Sequence, residues 1–191
     1  RLIPGVGSIP FVGRASSYIN KAEQLSLYED PQELKRRNID AIAKFEGASE
    51  KTAKDFIEHQ WISPTLQTFI IDNLNTLAGV SNRGNYLDIA IQAKSLEGAI
   101  FFMQASEILV WFHRNVEPLD ELVEGVRLPA GVTKNGRLVV ALPVDHIVWT
   151  EEVAVIFRNF KDRVVKEHSV TSGGIHITGT ASDRCKSELK K

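Results

Sequence analysis

The residues best suited to chemistry in this chain are its histidines and the acids near them. The five histidines are His59, His113, His146, His168 and His176. No two of them have the three- or four-residue spacing that places two ligands on one face of a helix, and there is no His-Glu-x-x-His motif. The sequence therefore predicts no metal site.

The segment around Asp145-His146 is the best remaining candidate for a catalytic site. It follows a predicted strand, and catalytic residues are often carried by loops in such places. Adjacent residues of an extended chain point to opposite faces, so Asp145 is badly placed to orient His146 as a base. An enzyme hypothesis would combine His146 with Glu151, Glu152 and His176.

Other patterns for nucleophiles and cofactors do not occur. There is no Gly-x-Ser-x-Gly elbow, and Cys185 lies in a basic terminal segment without a recognisable histidine partner, so an inert thiol is the simpler interpretation. Pro4-Gly-Val-Gly7 lacks the Lys-Ser/Thr of a P-loop, and Ser172-Gly-Gly174 precedes a predicted strand, the reverse of the dinucleotide-binding order. The sequence predicts no cofactor and favours a protein that is not an enzyme.

Composition and charge limit the partners. A net charge of −1 gives no overall attraction to nucleic acid, and the basic residues of 35–37 and 158–166 are interleaved with acids, as on a solvated helix face. A single cysteine excludes an intramolecular disulfide. We therefore expect no nucleic-acid partner and look instead for a protein partner or self-association.

The first residues form an apolar stretch that is broken by Pro4 and Pro10. It is too short for a membrane helix and lacks the basic region of a signal peptide. We interpret 1–14 as an arm or linker stub and 15–191 as one domain. The arm either lies in a groove of its own fold or continues a membrane-proximal region of a longer protein, which leaves a cytoplasmic and an envelope location open.

Most of the chain before Pro118 has the spacing of amphipathic helices. A helix is predicted over 17–28, and three others start at Asp-Pro, Ser-Glu and Ser-Pro capping signals. The longest predicted helix, about 86–113, ends in a nearly continuous apolar stretch over 99–112. Such a helix is typical of the centre of a bundle, so we expect it to be the most buried element, with Ile100 in the core.

The last third of the chain contains the β signals. Residues 130–142 predict a hairpin in which Asn135-Gly136 forms a type I′ turn, with positive φ at both positions. A short acidic helix is predicted over 119–124, a longer helix from Thr150, a short strand over 175–178 and a last helix from about 180. The predicted fold class is α+β and predominantly α: a helical bundle around helix 86–113, with a small β-hairpin or sheet in the C-terminal third.

The preferred functional hypothesis is a non-catalytic interaction or structural domain, a fragment of a larger bacterial protein. One alternative is an enzyme or toxin-like effector with a site near 145–152. Another is a helical protein that binds an apolar ligand, with 99–112 as one wall of its pocket. A polar cleft would favour the enzyme, an apolar cavity the ligand-binding protein, and an exposed apolar patch the interaction domain.

Overall fold

The computed structural model describes residues 4–8, 30–125, 127–168 and 170–190, with the backbone alone for 4–8 and 165–167. Seven helices hold about half of the described residues, and a small sheet accompanies them. The predicted combination of many helices with a small β element is confirmed, whereas a bundle around one long helix is not. The predicted helix 17–28 and most of the arm 1–14 lie outside the described residues.

Five helices make up the first part of the described chain. They are α1 (Pro31–Ile42), α2 (Glu50–Ile57), α3 (Pro64–Thr76), α4 (Asn85–Ala90) and α5 (Leu96–Asn115). The first three begin at the predicted caps, because the side chains of Asp30, Ser49 and Ser63 each accept a hydrogen bond from a backbone N–H of the first turn.

The predicted helix 86–113 was wrong as one element, since the chain breaks between α4 and α5. Ser95 has an extended backbone (φ −159°, ψ 171°), and its hydroxyl accepts a hydrogen bond from the N–H of Gly98 at 3.2 Å. This cap starts a new helix, and apolar periodicity alone does not reveal such a break. At 20 residues α5 is the longest described helix. Ile100, which we expected in the core, is only partly buried.

A buried glutamine connects α3 to the end of α2 through hydrogen bonds. The side-chain nitrogen of Gln67, on α3, lies 3.2, 3.0 and 2.9 Å from the carbonyl oxygens of Phe56, Ile57 and Ile62. These carbonyls belong to the end of α2 and to the loop after it, where helix carbonyls lose their own partners. Gln67 therefore fixes the path of the chain between α2 and α3.

The sheet has five strands and mixed direction. Its strands are β1 (Pro4–Ser8), β2 (Leu119–Leu122), β3 (Ala130–Thr133), β4 (Arg137–Leu142) and β6 (Ser172–Ile177), in the order β1-β6-β4-β3-β2. The pairs β1–β6 and β6–β4 are parallel, and β4–β3 and β3–β2 are antiparallel. Two short strands, β5 (His146–Ile147) and β7 (Thr180–Ala181), pair beside it, and the helices α6 (Glu151–Glu167) and α7 (Asp183–Glu188) complete the fold.

Three local predictions in this region need correction. The acidic segment 119–124 contains strand β2 rather than a helix, because it pairs with β3 and buries Leu119 and Leu122. The hairpin exists, but its turn is not type I′: the positive φ (74°) falls on Gly136 alone, whose N–H donates to the carbonyl of Thr133 at 2.9 Å. This matches a three-residue hairpin loop that ends in a left-handed glycine. The segment 172–174, which we placed before the strand predicted over 175–178, is the beginning of β6.

The continuous apolar run of β4 predicted a strand that is covered on both faces, and this is confirmed. Every residue of β4 after Arg137 is buried. On one face of the sheet, the ring of His176 from the neighbouring β6 lies against Phe112 of α5, with ring centres 4.9 Å apart. On the opposite face, Leu138 and Val140 look toward α6 and α7. The segment β4–α6–β6 is thus a parallel strand–helix–strand unit.

Candidate functional site

The structure does not bring the four residues of the enzyme hypothesis together. His146 is exposed on β5, where its Nδ1 lies 2.6 Å from Oγ1 of Thr180. Glu151 and Glu152 are exposed in the first turn of α6, and Glu152 accepts a hydrogen bond from the hydroxyl of Thr150 at 3.2 Å. His176 is buried on the opposite side of the sheet, against α5.

His176 is enclosed by apolar surroundings. Neither of its ring nitrogens has a hydrogen-bond partner among the described residues. Burial, and to a smaller degree the charge of Arg137, lowers the pKa of His176 to about 4. Because the neutral ring carries no charge at pH 7, this histidine behaves as a core residue there.

The candidate site that the structure does show is a cavity of about 550 Å³ between the sheet and the helices α6 and α7. This volume lies within the usual range of small-molecule sites. Its lining residues are Leu138, Val140, Trp149, Thr150, Glu151, Ala154, Phe157, Arg158, Phe160, Lys161, Gly173, Gly174, Ile175, Arg184, Glu188 and Leu189. Half of these residues have apolar side chains and five are charged, so the cavity combines an apolar surface with charged groups.

The floor of the cavity comes from alternate residues of β4 and β6. The parallel register pairs Leu138 with Gly173 and Val140 with Ile175, so these four residues share one face of the sheet. Gly173 adds no side chain to that face. A glycine inside a strand often marks a place where another group approaches the backbone, and here it leaves space.

The roof of the cavity is one face of α6. Ala154, Phe157 and Lys161 follow one another at helical spacing and line the cavity. Trp149, just before the helix, stacks on Phe157 with ring centres 6.2 Å apart and an interplanar angle of 11°. The hydroxyl of Thr150 caps the helix by accepting a hydrogen bond from the N–H of Val153 at 3.2 Å. The aromatic pair and the cap hold the roof in place.

The third wall comes from α7 and the residue after it. Arg184, Glu188 and Leu189 line the cavity, whereas Cys185 between them is buried elsewhere in the core. Burial raises the pKa of the Cys185 thiol, which keeps it protonated at neutral pH. The interpretation of this cysteine as an inert thiol therefore agrees with its surroundings.

Sequence reasoning missed this cavity, although two signals for it were present. The first is Gly173-Gly174, which we placed before the predicted strand rather than within it. The second is the pair Arg158 and Lys161, interpreted as a solvated helix face; both are exposed, yet both also line the cavity. The wall that we predicted from 99–112 belongs to the other face of the sheet.

Two negative findings concern the described residues only. They contain no group of three or more His, Cys, Asp or Glu side chains arranged to hold a metal ion. None of their helices combines the length and the hydropathy that a membrane span requires.

Comparison with known proteins yields no match to a family model, to a curated protein or to a solved structure. The fold and the site therefore define only a class: a mixed α/β protein with an apolar cavity under an amphipathic helix.

Proposed function

We propose that this protein is a non-catalytic binding domain whose cavity between the sheet and α6–α7 takes an apolar ligand. The observation that carries the proposal is the cavity itself: its volume is about 550 Å³, and aliphatic and aromatic side chains make up half of its lining residues. Burying apolar ligand surface there contributes about 25 cal/mol per Å² removed from water, which is the usual source of affinity in such sites.

The experiment uses a neutral apolar dye, Nile red, and a graded series at Gly173. Gly173 lies on the cavity face, and its φ lies outside the left-handed region, so a side chain fits the strand backbone. Gly173→Ile should fill the cavity and weaken dye binding at least about tenfold, as a loss of about 1.4 kcal/mol would. Gly173→Ala is the matched control, because one methyl group leaves most of the space.

Fluorescence titration gives the dissociation constants, and circular dichroism checks that each variant is folded. Equal affinity of the wild type and folded Gly173→Ile would contradict the proposal, as would absence of Nile red binding to the wild type.

Self-association or a protein partner, which the sequence analysis preferred, remains a second proposal. Residues 4–8 of the apolar arm pair with β6, so deleting the arm would remove a strand and could not test association alone. Light scattering of the intact chain over a range of concentrations is the better test. A mass that stays at 21.3 kDa would argue against self-association.

A further inference from the structure

The charged residues that line the cavity differ in how fully they are already paired. Arg158 and Lys161 lie on α6, one helical turn apart, and Arg184 lies on α7; all three line the cavity. Among the residues that the structure describes, neither Lys161 nor Arg184 forms an ion pair. Within the described part of the chain, Arg158 donates from Nε to the carbonyl oxygen of Ala154 at 3.3 Å, and no acceptor there takes its two terminal nitrogens.

The two acids of the wall cancel only part of this positive charge. Glu151 lies in the first turn of α6, where the helix dipole favours a carboxylate, and is two turns from Arg158. Glu188 has an interaction of its own. Three cations against two carboxylates leave the lining with one net positive charge.

We infer that the ligand is an amphipathic anion. This inference rests on the proposed function: the hydrocarbon part lies against Phe157, Ile175 and Leu138, and a carboxylate or phosphate head is held by Arg158, Lys161 and Arg184. A guanidinium group donates two parallel hydrogen bonds to a carboxylate or phosphate, and an ammonium group adds a point charge. The three cations are exposed at the edge of the cavity, so the head stays near water while the chain is buried.

The test compares four ligands with the same ten-carbon chain: decanoate, decyl phosphate, decanol and decyltrimethylammonium. Each ligand is titrated against Nile red bound to the wild-type protein. Calorimetry, at concentrations below those at which the ligand forms micelles, gives its affinity. We expect decanoate or decyl phosphate to bind at least about tenfold more tightly than decanol, with decyltrimethylammonium the weakest. Preference between the two anions shows whether the natural head is a carboxylate or a phosphate.

Two variants and one control connect this preference to the named side chains. Arg158→Gln and Arg184→Gln should each weaken binding of the preferred anion at least about threefold and leave decanol unchanged, since the apolar wall is kept. Lys186→Gln removes a positive charge from the same short helix, but Lys186 does not line the cavity and pairs with Asp183 at 3.5 Å. This control should bind all four ligands like the wild type.

The outcomes separate this inference from the proposed function. If Nile red and decanol bind but the anions bind no more tightly than decanol, the head-group inference is wrong and the apolar cavity stands. If the anions are preferred but Lys186→Gln lowers their affinity as much as Arg158→Gln, the preference is a general charge effect and the inference is also wrong. If none of the probes binds, the proposed function fails together with it.

Discussion

The two faces of β4 and β6 are built from alternate residues of the same strands, but they meet very different surroundings. Toward α5, Val139, Ala141 and His176 are buried and the ring of Phe112 packs against the sheet. Toward α6, Leu138 and neighbouring residues border a cavity of about 550 Å³. One face therefore packs tightly against its covering helix, whereas the other borders the cavity in which we propose that a ligand binds.

The largest expected effect compares one phenylalanine from each covering helix. Phe112→Ala on α5 should lower the free energy of unfolding by about 3–5 kcal/mol, since it empties a fully buried site. Phe157→Ala on α6 should cost less than half as much, because that ring is only partly buried and already borders a cavity. Urea unfolding followed by fluorescence measures both. Equal losses would show that the two faces do not differ in packing.

The second prediction concerns pH and the α5 face. His176 has a pKa of about 4 in the folded protein, below its usual 6.5, so the unfolded chain binds its proton more readily. The contribution of neutral His176 to the free energy of unfolding is therefore fully present above pH 6.5. It decreases by about 3 kcal/mol as the pH falls toward 4. Urea unfolding at several pH values should show this slope.

His176→Leu should flatten that slope. His113 contributes in the same direction, because burial, followed by the charge of Arg114, lowers its pKa and its Nδ1 accepts the backbone N–H of Leu119. His113→Gln is therefore the companion variant. If the variant with both His176→Leu and His113→Gln kept the wild-type dependence of stability on pH, other titrating groups would dominate this pH range.

The third prediction uses two adjacent glycines that point to different faces. Gly174 borders the cavity only with its backbone, and a side chain there would lie on the α5 face with His176, so Gly174→Ile should overpack that face and destabilise the protein by about 1–3 kcal/mol. Gly173→Ile points into the cavity and should change stability by less than about 0.5 kcal/mol, since a β-branched residue suits a strand. Thermal and urea unfolding measure the difference. If Gly173→Ile destabilised the protein more than Gly174→Ile, the free space would lie on the α5 face rather than on the cavity face.

The smallest effect compares the caps of the two covering helices. Ser95 and Thr150 each accept the N–H three residues ahead at 3.2 Å, so the lost hydrogen bond is the same. Ser95→Ala should lower global stability by about 1 kcal/mol, because α5 unfolds only with the core. Thr150→Ala should lower it by less and instead speed amide hydrogen exchange within α6, which is partly exposed. If both variants lost the same global stability and Thr150→Ala left hydrogen exchange unchanged, α6 would unfold together with the core.

Most of the element types could be predicted from the sequence, because their signals are local. Asp30-Pro31 and Ser63-Pro64 start helices with caps that act within one turn, and the hairpin around Gly136 needs only its own residues. The two main failures have different causes. Strand β2 is decided by its pairing with β3, which outweighs the acidic pattern of its own residues, whereas the cap at Ser95 is local but hidden within a continuous apolar pattern.

The candidate site was harder to predict, since it depends on which strands become neighbours. Gly173 is part of a cavity floor only because β6 pairs with β4 and α6 crosses above both. Nothing near Gly173 in the sequence specifies that pairing. His146, Glu151 and His176 were grouped by chemical type and position along the chain, and the alternation of strand residues then placed His176 on the other side of the sheet.

The position of β1 has a consequence for how the chain is made. Pro4 pairs with Gly173, so about 169 further residues must be synthesised after Pro4 before its partner exists. At about 5–20 residues per second, this delay is about 8 to 34 seconds. The helices α1 to α5 contact one another within the first part of the chain and can begin to fold during that time, whereas β1 stays without its neighbour. Synthesis therefore passes through a period in which an unpaired strand must avoid aggregation, and mutations that slow the emergence of β6 should lower the yield of folded protein more than its final stability.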